Sequence, residues 1–436
     1  MTSIPDLAER DTVVGTSSTV ATRNRHSLKR SNRSRRSDSD RATTAQRRHV
    51  LRWCAIIVLT PILTLASWSV VGTLSMPGHD PLSVRWVEWV RGHGGSGVVQ
   101  LAEQFWYSHH QPSTHGRPAP GLIKPVAPKG LVAARSGHLA TPLPVTPPIS
   151  PPIAGEGVWR PAGRTVNGLP AIYTTTLRPD PQHPSVVSAL AWIDQTLVSA
   201  QLYAGASEPG GSGWKYTSPI PNAQRPSLVA AFNSGFRLGD SHGGYYSESR
   251  MVKPLVPGTA SLVIDKNGTA TVGQWGRDVS MSSSVSSVRQ NLYLIVDNGT
   301  VVPGLANGTI KRWGATVGNK LYVWRSGVGI TAGGALVYAA GPDLSISTLA
   351  DSLARAGAVR AMELDINTDW VNFYSFNQAP GQPASASNGA KLLPGMHRGV
   401  DRYFLTDSRD FIALSARDNV GSTPAGGAGH RPGIFP

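Results

Sequence analysis

The longest apolar run in the chain is Trp53 to Leu74, which holds no charged residue and crowds together Ile56, Ile57, Val58, Leu59, Ile62, Leu63, Leu65, Val70 and Val71. About 20 apolar residues in a helix cross the roughly 30 Å hydrocarbon core of a bilayer, so a single transmembrane helix over 51–74 is predicted. Pro61 sits mid-span, where membrane helices tolerate it. Trp53 and Trp68 lie near the ends, as interfacial aromatics do. No A-x-A cleavage site follows the run, and its leader is longer than a signal peptide's, so the segment reads as a signal-anchor.

Apolar residues then recur at helical spacing around Val84–Val90 and Val98–Trp106, with Gly92, Gly94, Gly95 and Gly97 between them. A short membrane-proximal helical segment over 80–110 is predicted, lying on the membrane or docked on a folded domain. Adjacent His109 and His110 point to different faces of a helix and read as interfacial, not as ligands. Residues 111–155 hold eleven prolines and predict a linker of polyproline-II type that holds the C-terminal part of the chain away from the bilayer.

From 157 to 416 the pattern turns to short strands. Asn267-Gly268 and Asn298-Gly299 sit between apolar runs as hairpin turns, and Gly333-Gly334 joins a third pair. Leu321–Trp324 and Gly329–Thr331 read as separate pieces. One helix stands out, with Ser345 as N-cap, Leu349, Ala350, Leu353 and Ala354 as its stripe, and Gly357 as its stop. The class expected is α+β: a mixed, mostly antiparallel sheet with few helices. Residues 419–436 are Gly/Pro-rich and read as a flexible tail.

Charge sharpens this division. The 436 residues carry 41 Lys+Arg against 26 Asp+Glu, a net +15. Residues 1–52 hold 12 of the bases and 5 of the acids, a net +7 with almost no apolar content, so 1–50 is expected to be a disordered basic tail. By the positive-inside rule that tail is cytoplasmic and the C-terminal domain extracytoplasmic. Membrane lipids are its expected partners; it lacks the interleaved aromatics of a nucleic-acid binder, so none is expected there. A single cysteine, Cys54, excludes a disulfide framework and thiolate metal sites. Arg outnumbers Lys by 32 to 9, a GC-rich coding bias of actinobacterial type, so the N-G-T triplets at Asn267, Asn298 and Asn307 read as turns, not glycosylation sites.

No G-x-S-x-G, H-E-x-x-H or Walker loop is present. Gly327-x-Gly329-x-x-Ala332 matches the dinucleotide fingerprint loosely, but leads into a hairpin instead of a phosphate-binding helix. Three segments deliver rare polar residues to strand ends: Ala230–Phe236 with Asn233 and Gly235, Val323–Ile330 with Arg325 and Gly327, and Ala361–Trp370 with Glu363, Asp365, Asn367 and Asp369. His242 lies in a Gly-rich loop after the first. On a strand, Glu363, Asp365 and Asn367 would share a face. Paired carboxylates there suit acid/base work. The same oxygen-rich set would suit Ca²⁺ or Mg²⁺, though no cofactor and no metal ligand is otherwise called for.

Taken in order, the three segments resemble the phosphodiester glycosidase family over roughly 230–374: an Asn-x-Gly-Phe turn, a Gly-Gly loop, Arg-Ser-x-x-Gly, a helix, and a strand ending in Leu-Asp. The resemblance implies hydrolysis of a sugar 1-phosphodiester, on envelope glycans or glycolipids for an anchored external domain. By motif match the resemblance puts Asn233 at the Asn-Gly turn position, Arg325 at the Arg position and Asp365 at the Leu-Asp position. The chemistry of the residues fits it: Arg325 would bind the phosphodiester anion and Asp365 or Glu363 would act as general acid/base, with His242 in reserve as a proton donor, as catalytic candidates. Asn233 would hold a sugar hydroxyl, and Gly235, Gly327, Asn367 and, in reserve, Asp369 complete the substrate-binding candidates. Where the family has Gly-Gly-Gly-Ser after Leu-Asp, this chain has Ile366-Asn367-Thr368-Asp369. That departure keeps open a second expectation, an inactive glycan-binding or scaffold protein.

Overall fold

A computed structural model describes residues 25–75, 78–125, 138–305, 313 and 322–417. The chain divides into two compact units, 1–71 and 72–436. The first is dominated by α1 (Arg25–Ser75). Its stretch Gln46–Ser75 is long and apolar enough to cross a membrane. The basic segment, expected to lack regular structure, is helical from Arg25 onward. It contains many arginines and neither Gly nor Pro before Pro61, so a helix seated on the apolar run propagates back through it. Residues 1–24, Asn307 and the expected tail at 419–436 lie outside the described residues.

Among the described residues the second unit holds three sheets, and every strand pair within them is antiparallel. The largest has eight strands in the order β1 (Arg160–Val166), β2 (Leu169–Leu177), β3 (Ser188–Ile193), β14 (Leu336–Leu344), β13 (Val323–Thr331), β15 (Ala358–Glu363), β11 (Leu294–Asp297) and β12 (Thr300–Val301). A five-stranded sheet runs β7 (Arg250–Lys253), β6 (Tyr245–Ser247), β10 (Val285–Gln290), β8 (Ala260–Asp265), β9 (Ala270–Gln274). Another runs β17 (Gly389–Lys391), β16 (Phe373–Phe376), β5 (Leu228–Asn233), β18 (Phe411–Ala416), β4 (Val198–Tyr203). One core, including Ile172, Phe232, Leu262, Val328, Tyr338, Met362 and Leu414, joins the sheets. A second packs the other face of the large sheet on α4 (Ile346–Arg355) through Leu349 and Leu353.

Local chemistry explains the elements. The β8–β9 and β11–β12 hairpins turn at Asn267-Gly268 and Asn298-Gly299. In the second turn Asn298 and Gly299 have φ of 50° and 74°, which this short hairpin connection requires. Ser345 caps α4, its Oγ accepting the Thr348 N–H at 3.1 Å. The pieces expected around 321–331 form one strand, β13. Gly327 and Gly329 lie inside it because neighbours leave no room: a Cβ at Gly327 would sit 2.9 Å from Leu353 Cδ1, and one at Gly329 would sit 2.8 Å from the Arg360 carbonyl.

Within the second unit, the segment 78–110 packs on the strand-rich part that follows it. Asp80 accepts from Arg398 Nη1 at 2.6 Å and from the Ser408 hydroxyl, and the His79 N–H reaches the Thr406 carbonyl at 2.9 Å. α2 (Leu82–Val90) buries Val84 and Glu88, and α3 (Ser96–His109) buries Val99. Between them the chain bends at Gly94, φ 87°. The Pro-rich stretch does not stand off as a spacer in its described parts. Ile123 and Val145 are buried, the Leu139 N–H binds Asp194 at 2.7 Å, and Trp159 Nε1 donates to the Leu143 carbonyl at 2.8 Å. Carbonyls in a run poor in N–H donors are free to accept from the domain; the Pro151 carbonyl takes Arg178 Nη2 at 2.9 Å.

Candidate functional site

Two buried asparagines tie the strand ends together. Asn233, the last residue of β5, donates through Nδ2 to Ser326 Oγ at 2.9 Å. Its Oδ1 accepts from the Tyr338 hydroxyl at 2.8 Å and the Asn372 N–H at 3.1 Å. Ser326, on β13, exchanges bonds with the backbone of Asp365: its N–H donates to the Asp365 carbonyl at 2.9 Å, and its Oγ accepts the Asp365 N–H at 3.1 Å. Asn291 donates to the carbonyls of Glu363 and Leu364, both at 2.9 Å, and accepts the Phe236 N–H at 3.2 Å. These bonds set the Gly235 turn, the end of β15 and the loop before β16 side by side.

Asp365 and Arg409 meet at that junction. Arg409 Nη2 lies 3.3 Å from Asp365 Oδ2 and 3.2 Å from the Gly235 carbonyl. Its Nε is buried and bonded to none of the described residues. Its guanidinium stands 5.1 Å from the Trp370 ring centre, and that of Arg402 stands 4.8 Å from it. Asp365 is 4% exposed. Burial pushes its carboxyl up; Arg409 and the N–H groups of Asn367 and Ile366 oppose this, while the Glu88 carboxylate adds to it. Burial alone would weaken the Arg409 cation, but the carboxylates of Asp365, Glu88 and Glu208 outweigh it and raise its pKa.

Beside this pair lies a cavity of about 60 Å³, lined by Arg85, Glu88, Glu208, Arg237, Ser408 and Arg409 among others. Arg237 Nε is 3.4 Å from Glu88 Oε2 and 3.7 Å from Glu208 Oε1. Glu103 of α3 pairs with Arg91 at 2.6 Å. Its carboxyl is pushed up by burial, against the pull of Arg91 and with the added repulsion of Glu88 and Asp365. The junction is therefore roofed by α2 and α3.

The residues picked from sequence divide. Asn233, Gly235 and Asp365 come together, although both polar ends of the Asn233 side chain are spent on the protein. Arg325 and Glu363 do not join them. Glu363 pairs with Gly327 across β13–β15, and Gly327 faces Leu353 of α4, so Arg325, Gly327 and Glu363 share the α4 face. There Arg325 Nη1 bonds Glu363 Oε1 at 2.5 Å and Nε bonds the Leu344 carbonyl at 2.7 Å, both side chains fully buried. Burial outweighs the attraction of Arg325 and pushes the Glu363 carboxyl up to about 7.

β15 ends at Glu363, so the expected alternation through Asp365 and Asn367 is not realised, and the oxygen-rich set is not assembled. Instead Asp365 Oδ1 accepts the Asn367 N–H and Asn367 Oδ1 accepts the Asp369 N–H, each at 2.9 Å, as consecutive Asx turns. Asp369 faces His397 at 3.3 Å at the surface, and His242 is exposed on left-handed backbone, φ 51°. Among the described residues no three His, Cys, Asp or Glu side chains gather for a metal.

Arg409, Arg237 and Glu88 were not singled out from sequence. Signals existed for each: Arg237 follows the Asn233–Phe236 turn, Arg409 belongs to the charged cluster Asp407-Ser408-Arg409-Asp410, and Glu88 is a lone acid among tryptophans and valines.

No family model matches the chain, and no curated protein does. Among solved structures, the catalytic domain of zebrafish N-acetylglucosamine-1-phosphodiester α-N-acetylglucosaminidase, auto-inhibited by its pro-peptide, is similar at 16% identity and a TM-score of 0.38, over 59% of this chain and 87% of that one. A hypothetical protein from Synechocystis is similar at 12% identity and a TM-score of 0.33, over 59% of this chain and 64% of that one. An exported protein of Burkholderia pseudomallei gives 14% and 0.31, over 54% of this chain and 75% of that one. At these values the likeness bears on neither activity nor ligand.

Proposed function

We propose that the chain is a membrane-anchored, extracytoplasmic hydrolase of the phosphodiester glycosidase kind, acting on sugar 1-phosphodiesters of envelope glycans or glycolipids. The basic segment before the apolar helix supports a cytoplasmic N-terminus. The observation that carries the reading is the Asp365–Arg409 junction: a buried carboxyl that holds its proton above the usual range, touching a guanidinium with an unused N–H, beside a cavity lined by two further arginines.

Cleavage of the anomeric C–O bond leaves negative charge on the departing phosphate oxygen. Asp365 donates its proton to that oxygen as the bond breaks, and recovers one from the attacking water. Arg409, with Arg237, binds the phosphoryl oxygens. Asn233, Asn291 and Ser326 position Asp365 through the backbone. A cavity of about 60 Å³ is well below the roughly 300 Å³ of an ordinary ligand site, so α2 lifts for a sugar phosphodiester to enter.

The test is turnover of a panel of sugar 1-phosphodiesters by the full chain in detergent micelles, wild type against Asp365→Asn and Arg409→Lys. Loss of turnover in Asp365→Asn with unchanged thermal unfolding is expected. Full activity in that variant refutes the reading. A wild type that binds the panel without turning it over selects the second reading, a glycan-binding protein, which the bulky Ile366-Asn367-Thr368 after Asp365 favours.

A further inference from the structure

The hairpin α2–α3 has two faces. Val84, Glu88 and Val99 face the domain. Leu82, Trp86, Val98, Leu101, Phe105 and Trp106 face away from it, each between 51% and 71% exposed. On α2 the two sets lie two residues apart, nearly opposite on a helix. From 82 to 110 no residue described as exposed is Asp, Glu, Lys or Arg; Glu88 and Glu103 are turned inward against Arg91 and Arg237. An outer face this apolar and this free of charge suits the headgroup–acyl boundary of a bilayer, where Trp and Phe are favoured.

Chain length supplies the partner. The apolar helix ends at Ser75, and Asp80 is already pinned to Arg398 and Ser408. Five residues extend at most roughly 18 Å, so the hairpin is held at the surface of whatever membrane the helix crosses. We propose that the outward face of α2–α3 lies in the outer leaflet of that membrane, seating the Asp365 site at the bilayer surface. The inference rests on the anchored, N-in reading above, but not on catalysis.

A label test reads it without substrate. In a Cys54→Ala background, Val98→Cys, Leu101→Cys, Leu59→Cys and Met251→Cys chains carry an environment-sensitive fluorophore, reconstituted in phosphatidylcholine/phosphatidylglycerol vesicles. Leu59 reports the apolar helix, and Met251, 50% exposed on β7, reports the domain surface outside the hairpin. Expected is blue-shifted emission at 59, 98 and 101 that a lipid-borne quencher suppresses, with water-like emission at 251. Emission at 98 and 101 as water-like as at 251, while 59 is quenched, overturns the proposal. So does blue-shifted emission at 98 and 101 that the lipid-borne quencher leaves untouched, which would put protein on that face. Water-like emission at 59 overturns it together with its anchoring premise. Because turnover is not read, failure of the hydrolase reading leaves this result standing.

Discussion

Replacing Arg325 by Met takes the cation away from the Glu363 carboxyl inside the large sheet. Both side chains are fully buried, 2.5 Å apart, and Glu363 Oε2 has no partner among the described residues. Removing one member of such a pair costs about 3–5 kcal/mol when the other stays charged. Glu363 need not stay charged. Its folded carboxyl stands at about 7 against an ordinary 4.5, a difference worth about 3 kcal/mol at 1.36 kcal/mol per pH unit. Because the folded value is the higher one, the stability this group contributes is complete below about 4.5 and is lost as pH rises through about 7. Without Arg325 the carboxyl moves higher still, and the loss continues into the alkaline range. The penalty of Arg325→Met should therefore be near zero at pH 5 and rise to at most about 3 kcal/mol at pH 9, two pH units above the wild-type value of about 7. Urea unfolding of the full chain in detergent, followed by tryptophan fluorescence at pH 5, 7 and 9, measures it. Glu363→Gln should flatten the pH slope. The double variant, which buries no formal charge there, should come close to wild type or exceed it. A penalty independent of pH refutes the reasoning. An Arg325→Met chain of wild-type stability that has lost turnover would restore to Arg325 the anion-binding role expected from sequence.

The geometry sets three further outcomes. Glu88→Gln removes a charge that raises the Asp365 carboxyl, so the alkaline fall of a rate profile dependent on protonated Asp365 should move to lower pH; kcat against pH reads the shift. Arg402→Met breaks a buried pair with Asp407 and frees the carbonyls of Asp369 and Trp370, costing about 3–5 kcal/mol in a urea titration. Gly327→Ala drives a methyl to 2.9 Å from both Leu353 Cδ1 and the Met362 carbonyl, and should cost about 1–3 kcal/mol in thermal unfolding with α4 displaced.

Local signals carried most of the fold's description. The N-G hairpins, the Ser345 cap and the α4 stripe are decided within a few residues, and they appear where the pattern placed them. β18 and β16 are strongly apolar but short, and without period-2 alternation they do not register as strands, although a Pro380-Gly381 turn signal follows β16 and the polar run Asp407–Asp410 precedes β18. The site was legible only as far as the backbone knots. Asn233, Gly235 and Asp365 sit in recognisable turns, whereas their partner Arg409 lies 44 residues beyond Asp365 and is brought there by β18 pairing with β5. Arg325 misled because alternation fixes that two residues share a face, not which face. Gly327, whose missing side chain admits Leu353, fixes it against α4. The Asn298-Gly299 turn is legible in sequence, whereas Asn367, expected on a strand, forms part of the Asx turns that border the site.

The bonds from Asp80 to Arg398 and Ser408 span 318 and 328 residues of chain. A ribosome adding roughly 5–20 residues per second needs on the order of half a minute to make that interval. Through all of it the hairpin α2–α3 exists while the loop that receives it does not. Its inner face, with Val84, Glu88 and Val99, waits uncovered, and the Asp365 junction cannot be roofed before residues 398–410 have been synthesised. The contacts that close the site are thus among the last of the tertiary contacts to form, and a chain truncated ahead of residue 398 would carry its apolar helix and hairpin without the loop that receives the hairpin's inner face.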